Sequence, residues 1–220
     1  MAGTDLLSLP PELQTAMVSA TKELVAAEMV DADRPEAHLN LGLLDLRRRQ
    51  MPEAEAEYRT ALRLDSGFVP ALVNLADLDR MRGADQEGAE LLKKAMAIEP
   101  DNADARYSLG LLLVRQHDYP GALELLRRAH ELAPDNARYA YVYAIALNST
   151  GAPAEAMASL ERAHQQHPTD RDILMALVSI TRDTGDFALA LRHARELVTL
   201  DPGDAQLRAL ISDLEKRQAH

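Results

Sequence analysis

A chain of 220 residues, 47% of them apolar and 27% charged, is long enough for one ordinary domain or a short array and carries enough apolar surface to fold. A net charge of -11 argues against a nucleic-acid or anionic-membrane surface, which needs clustered Lys and Arg. The absence of cysteine excludes a disulfide framework, a thiolate nucleophile, Cys-ligated zinc and a c-type haem attachment within these residues. With 4% aromatic residues and no tryptophan, Ala and Leu must supply most of the core, a composition that favours closely approaching helices.

In chain order, residues 1–34 read as an N-terminal segment followed by a capping helix. Pro10-Pro11 blocks any helix from running through, since each proline lacks an amide donor and restricts its predecessor. From Glu12 to about Val30, Leu13, Ala16, Met17, Ala20, Leu24 and Ala27 share one face. Met1–Leu13 has neither a basic leader nor an apolar core, and no stretch approaches the ~18 apolar residues of a membrane span. The chain is therefore expected to be soluble.

Five segments of 34 residues follow without a gap: 35–68, 69–102, 103–136, 137–170 and 171–204. Each reads as two short helices and a turn. Position 8 is Gly42, Ala76, Gly110, Ala144 and Val178; position 20 is Ala54, Gly88, Ala122, Ala156 and Ala190; position 27 is Ala61, Ala95, Ala129, Ala163 and Leu197. Small residues in those columns let two helices cross at short distance, while larger ones at positions 7 and 24 fill the remaining volume. Pro100, Pro134, Pro168 and Pro202 at position 32 end the second helix of four segments. The inner turns contain Gly83, Gly151 and Gly185, where a helix C-terminus wants a left-handed residue. One such hairpin cannot hide its own apolar face, so stacking must provide the core. Residues 205–220 repeat the first-helix spacing through Leu207, Leu210, Ile211 and Leu214 and are expected to form a C-terminal capping helix.

These columns resemble the tetratricopeptide repeat (TPR) pattern from about Ala20 to the end of the chain. The resemblance implies an all-α fold, a right-handed superhelical solenoid of five full helix-turn-helix repeats with a capping helix at each end. Family aromatics at position 4 are replaced here by His38, Leu72, Arg106, Ala140 and Leu174, which implies looser packing. The phrases at Asp33–Gly42, Phe68–Leu78, Asn136–Gly151 and Asp170–Asp186 further resemble the C-terminal repeat module of bacterial multihaem cytochrome c-like proteins. That second resemblance implies a piece of a larger exported protein with its haem-binding motifs upstream.

No constellation for chemistry emerges. There is no GxxxxGK[ST] or GxGxxG loop, no HExxH and no GxSxG, and Glu53, Glu55 and Glu57 spread around their helix. The chain is expected not to be an enzyme, with no cofactor and no metal. His164 and His167 have a spacing at which two imidazoles can share an ion, but the preferred reading sets them, solvated, at the negative end of a helix dipole. The same dipole reading is preferred for Arg47-Arg48-Arg49. Tyr139, Tyr141 and Tyr143 alternate, yet the 34-residue register puts them on a helix, with Tyr143 in the core.

The family resemblance implies that positions 5, 9 and 12 of the first helices point into a concave groove. By register that groove holds Leu39, Val73, Tyr107, Tyr141 and Met175 at position 5, Leu43, Asp77, Leu111 and Ile145 at position 9, and Arg80 and Asn148 at position 12. The floor is expected to be apolar with scattered charges, which suits a peptide segment or amphipathic helix. Arrays that clamp acidic C-termini place Lys and Asn at positions 5 and 9, and Leu39, Leu43, Val73 and Asp77 do not match. The expected function is thus a non-catalytic protein-interaction scaffold whose partner is a protein or peptide, including a flanking domain of the same parent chain. The alternative is an accessory domain that positions a redox neighbour. A periplasmic location follows from that alternative, a cytoplasmic one otherwise.

Overall fold

The computed structural model describes residues 33–218 and, ahead of them, Val18, Thr21, Lys22, Val25 and Ala26, all five helical. The rest of the expected N-terminal segment and capping helix, including Pro10-Pro11, lies outside the described residues. Among the described residues from Pro35 onward there are eleven helices and no strand. They are α1 (Pro35–Arg47), α2 (Met51–Leu64), α3 (Val69–Arg82), α4 (Asp85–Ile98), α5 (Ala103–Arg115), α6 (Tyr119–Leu132), α7 (Ala137–Ser149), α8 (Pro153–Gln166), α9 (Arg171–Asp183), α10 (Phe187–Leu200) and α11 (Ala205–Gln218). First helices begin at Pro35, Val69, Ala103, Ala137, Arg171 and Ala205, so each start is 34 residues after the last.

Local chemistry sets these boundaries. The Asn102, Asn136 and Asp170 side chains accept hydrogen bonds from the amides of Ala105, Tyr139 and Ile173, which caps α5, α7 and α9. Asp118 and Asp186 cap α6 and α10 in the same way through Gly121 and Leu189. The inner turns of three hairpins close on left-handed Gly83, Gly151 and Gly185. Arg49 and His117 take that conformation in the other two, at φ 63° and 62°, where a Cβ makes it costly.

The chain forms two compact units, one ending at Pro100 and one beginning at Asp101. In the first, Ala54, Tyr58, Leu75 and Leu78 form the core, with Leu39, Leu46 and Met51 packed on it. In the second, Ala144, Leu160, Ile173 and Leu177 centre one cluster, and Val178, Ala194, Leu197, Leu207 and Leu214 another. The last two of those residues come from α11, which covers α10 with its apolar stripe.

Within every hairpin the columns at positions 8, 20, 24 and 27 are buried. Position 3 is buried as well, through Ala37, Ala71, Ala105, Tyr139 and Ile173. Position 7 is less uniform, because Leu41 and Tyr143 are only half-buried. Size is matched across positions 8 and 24 of the same hairpin. Gly42 faces Tyr58 and Gly110 faces Leu126, so closely that a Cβ on either glycine would come within 3 Å of the opposing side chain. By the same register Ala76 goes with Leu92, Ala144 with Leu160, and the large Val178 with the small Ala194.

Candidate functional site

Position 5 is not one continuous apolar wall. Met175 is 41% exposed, and Leu39 and Tyr141 are half-buried. Val73 and Tyr107, both expected to face the groove, are instead buried at 7% and 5% exposure. The reason at Tyr107 is the next repeat: its ring stacks on Tyr139 with centroids 4.6 Å apart, and the Arg138 guanidinium lies 5.2 Å from its centroid. Arg138 Nε donates to the Tyr107 hydroxyl at 2.9 Å, and Tyr139 donates to the Asp104 carboxylate. Burial together with that carboxylate raises the Tyr139 phenol far above its ordinary range.

Position 9 is more open on the second unit. Ile145 is 37% exposed and Leu111 is half-buried, as is Leu43 on the first unit. Asp77 and Arg80 are part-exposed and satisfy one another at 3.2 Å, one helical turn apart. Asn148 is half-buried near the end of α7. Of the position-5 and position-9 side chains on the first helices of the second unit, Ile145 and Met175 are exposed, and Tyr141 and Leu111 are half-buried.

Three other sequence expectations can be placed. Tyr143 is at the edge of the core: half-buried against two core clusters, it also stacks on His130 at 5.7 Å and lines a cavity of about 280 Å³ with Arg127, His130, Glu131, Pro134 and Arg162. Burial holds the His130 imidazole below its ordinary value, with the Arg162 charge adding to the effect. The Arg127 charge in that cavity is already taken up by Glu124 and Glu131. The basic run straddles a helix end: Arg47 is the last residue of α1, Arg48 its C-cap and Arg49 the left-handed turn.

The third concerns the histidines, and here the structure corrects the pairing. His167 turns away to the Asp135 carbonyl at 2.7 Å. His164 is joined instead by His193 and Glu196 of α10. His164 Nε2 lies 2.9 Å from Glu196 Oε2, and His193 Nε2 lies 3.2 Å from Glu161 Oε1. His193 Nδ1 faces Glu196 Oε1 at 3.8 Å, and the two rings meet edge to face at 5.8 Å. Sequence reading missed His193 because nothing in its column marks it.

A hairpin register repeated without a break defines an α-helical repeat protein. The chain belongs to the tetratricopeptide repeat family, whose models match residues 19–67, 80–146 and 147–214. Members of this family generally mediate protein–protein interaction. Among solved structures, PilF of Pseudomonas aeruginosa is 19% identical, over 84% of this chain and 86% of its own, with a TM-score of 0.74. YrrB, described as a TPR protein with an unusual peptide-binding site, is 22% identical, over 86% of this chain and 97% of its own, at 0.62. MamA of Desulfovibrio magneticus RS-1 is 19% identical, over 78% and 97%, at 0.65. No curated protein matches the sequence. These likenesses support the repeat family and leave the multihaem resemblance without support. Among the described residues no helix is long and apolar enough to cross a membrane.

Proposed function

We propose that the chain is a non-catalytic scaffold that holds a peptide segment or amphipathic helix against the first helices of its repeats. The observation that carries this reading is the exposure of Ile145 on α7 and Met175 on α9, with the half-buried Tyr141 one turn before Ile145. Large apolar side chains left open on well-packed helices are costly in water and gain by being covered. On the first unit, Leu39 and Leu43 offer a similar but shallower surface beside the Asp77–Arg80 pair. Val73 and Tyr107 drop out of the contact set, and Leu111 and Asn148 remain at its margin. The peptide-binding description of YrrB belongs to that protein and lends the reading a precedent on a similar fold.

Site-specific photo-crosslinking in the native host tests it. A photoreactive amino acid at Met175 or Ile145 should trap a discrete partner, and the same probe at Ala158 on α8 should not. Equal labelling at all three positions, or none at any, would remove the groove assignment.

A further inference from the structure

The cluster on α8 and α10 is a second, independent feature, and its hydrogen bonding is incomplete in an informative way. His193 is fully buried. Its Nε2 lies 3.2 Å from Glu161 Oε1 and 3.4 Å from the Arg192 guanidinium, and in the tautomer whose Nε2 proton is donated to the nearer carboxylate, Nδ1 is left with a lone pair. That lone pair has no hydrogen-bond partner among the described residues. What it faces, at 3.8 Å, is Glu196 Oε1, which is again an acceptor. Two acceptors turned toward one another across a gap are repulsive unless a proton or a cation lies between them. On the other side of the same carboxylate stands His164 Nε2, 2.9 Å from Oε2.

We infer that His164 Nε2, His193 Nδ1 and the Glu196 carboxylate form a binding site for a divalent transition-metal ion of the zinc type. Two imidazoles and one carboxylate are the donor set that such an ion takes, with a water completing the tetrahedron. Donor atoms around a tetrahedral zinc stand about 3.3 Å apart, given metal–ligand bonds of about 2.0–2.1 Å. The distances of 2.9 and 3.8 Å bracket that spacing, and one ligand atom from each of the three residues lies within 4.8 Å of the other two, so small side-chain rotations close the set. Glu161 acts as the outer carboxylate that fixes the His193 tautomer and aims Nδ1 inward. The Arg192 guanidinium stands beside this cluster, 3.4 Å from both Glu161 and His193 Nε2 and 4.0 Å from Glu196 Oε1, and its side chain is 59% exposed, so it can swing into solvent as the ion enters. Bound there, the ion ties the second helices of two successive hairpins together.

The test is calorimetric titration of untagged, chelator-treated protein with zinc chloride, alongside thermal melts with and without zinc. One ion per chain and a zinc-dependent rise in melting temperature are expected. His164→Ala and Glu196→Gln, which sit at part-exposed positions, should each weaken binding at least about tenfold, and Glu161→Gln should do so by about 10-fold through the outer carboxylate. His193→Gln should abolish it, with circular dichroism in chelator showing that the helices persist. His167→Ala should bind zinc as the wild type does. Wild-type protein that shows no zinc-dependent shift overturns the assignment. So does binding that survives His164→Ala and Glu196→Gln, or binding that is lost in His167→Ala.

Discussion

A side-chain carbon placed on Gly42 would stand 2.5 Å from Cε1 of Tyr58, so the aromatic ring of α2 fills the space that a side chain on α1 would need. Gly42→Ala should therefore destabilise the first unit by about 1–3 kcal/mol through overpacking, less the roughly 1 kcal/mol that alanine gains over glycine in a helix. Tyr58→Leu in the same chain recreates the Ala–Leu pairing of the second and fourth hairpins and should recover most of the loss. Urea denaturation of the two single variants and the double variant measures the coupling, and additive effects would contradict the size-matching argument.

Tyr58 carries a second consequence. Its hydroxyl is buried and finds no hydrogen-bond partner among the described residues, and burial pushes its ionisation up to about 12, with Asp45 and Asp77 adding to the shift. Tyr58→Phe removes a polar group that no described residue satisfies, so stability should stay within about 0.5 kcal/mol of wild type or rise. A loss beyond about 1 kcal/mol would point to a partner for the hydroxyl.

Tyr107 and Met175 share a column but not a role. Tyr107→Ala should cost about 3–5 kcal/mol of unfolding free energy, as expected for a buried aromatic, and Tyr107→Phe about 1 kcal/mol through the lost Arg138 hydrogen bond. Met175→Ser should change stability by less than about 0.5 kcal/mol. Comparable losses at both positions in chemical denaturation would mean that Met175 is core after all.

Asp79 on α3 is 7% exposed, and burial raises its pKa, with Glu55 and Glu87 adding and Arg82 and Arg59 opposing. A carboxyl that holds its proton more tightly when folded contributes stability at low pH that is lost as pH rises through the folded pKa. Asp79→Asn should accordingly be more stable than wild type at pH 7, and the advantage should shrink as pH falls through the raised folded pKa toward the ordinary carboxylate range of about 4. Urea midpoints across that range show the trend, and a constant difference would refute it.

His130 runs the other way. Its folded pKa lies below the ordinary value, so the unfolded chain takes up a proton where the folded chain does not. Its contribution is fully present above about pH 6.5 and is lost as pH falls through that value, levelling off once the folded ring protonates. The stability difference between wild type and His130→Gln, followed by urea denaturation in chelator, should narrow over the same interval.

The hairpin register was legible in the sequence because small residues at fixed spacing leave a periodic trace, and helix starts from Pro35 to Ala205 follow it. The buried column at position 3 was not, since Ala37, Ala71 and Ala105 read equally well as surface helix formers. Tyr107 misled for a related reason. What closes over it is Arg138 and Tyr139, whose partnership depends on how one hairpin lies on the next. The histidine cluster escaped because it joins the last turn of α8 to the middle of α10, and no column holds both rings. Spacing within a helix favoured His164 with His167, whereas packing chose a residue 29 positions further along the chain.

Matched sizes at positions 8 and 24 also say where this gene tolerates recombination. A crossover in a loop between hairpins, as at Pro100, carries each pair across whole. One at an inner turn separates its halves: α1 of the first hairpin joined to α10 of the fifth would set Gly42 against Ala194 and leave a void, and α9 joined to α2 would drive Val178 into Tyr58. The heritable unit of this protein is the hairpin, not the helix.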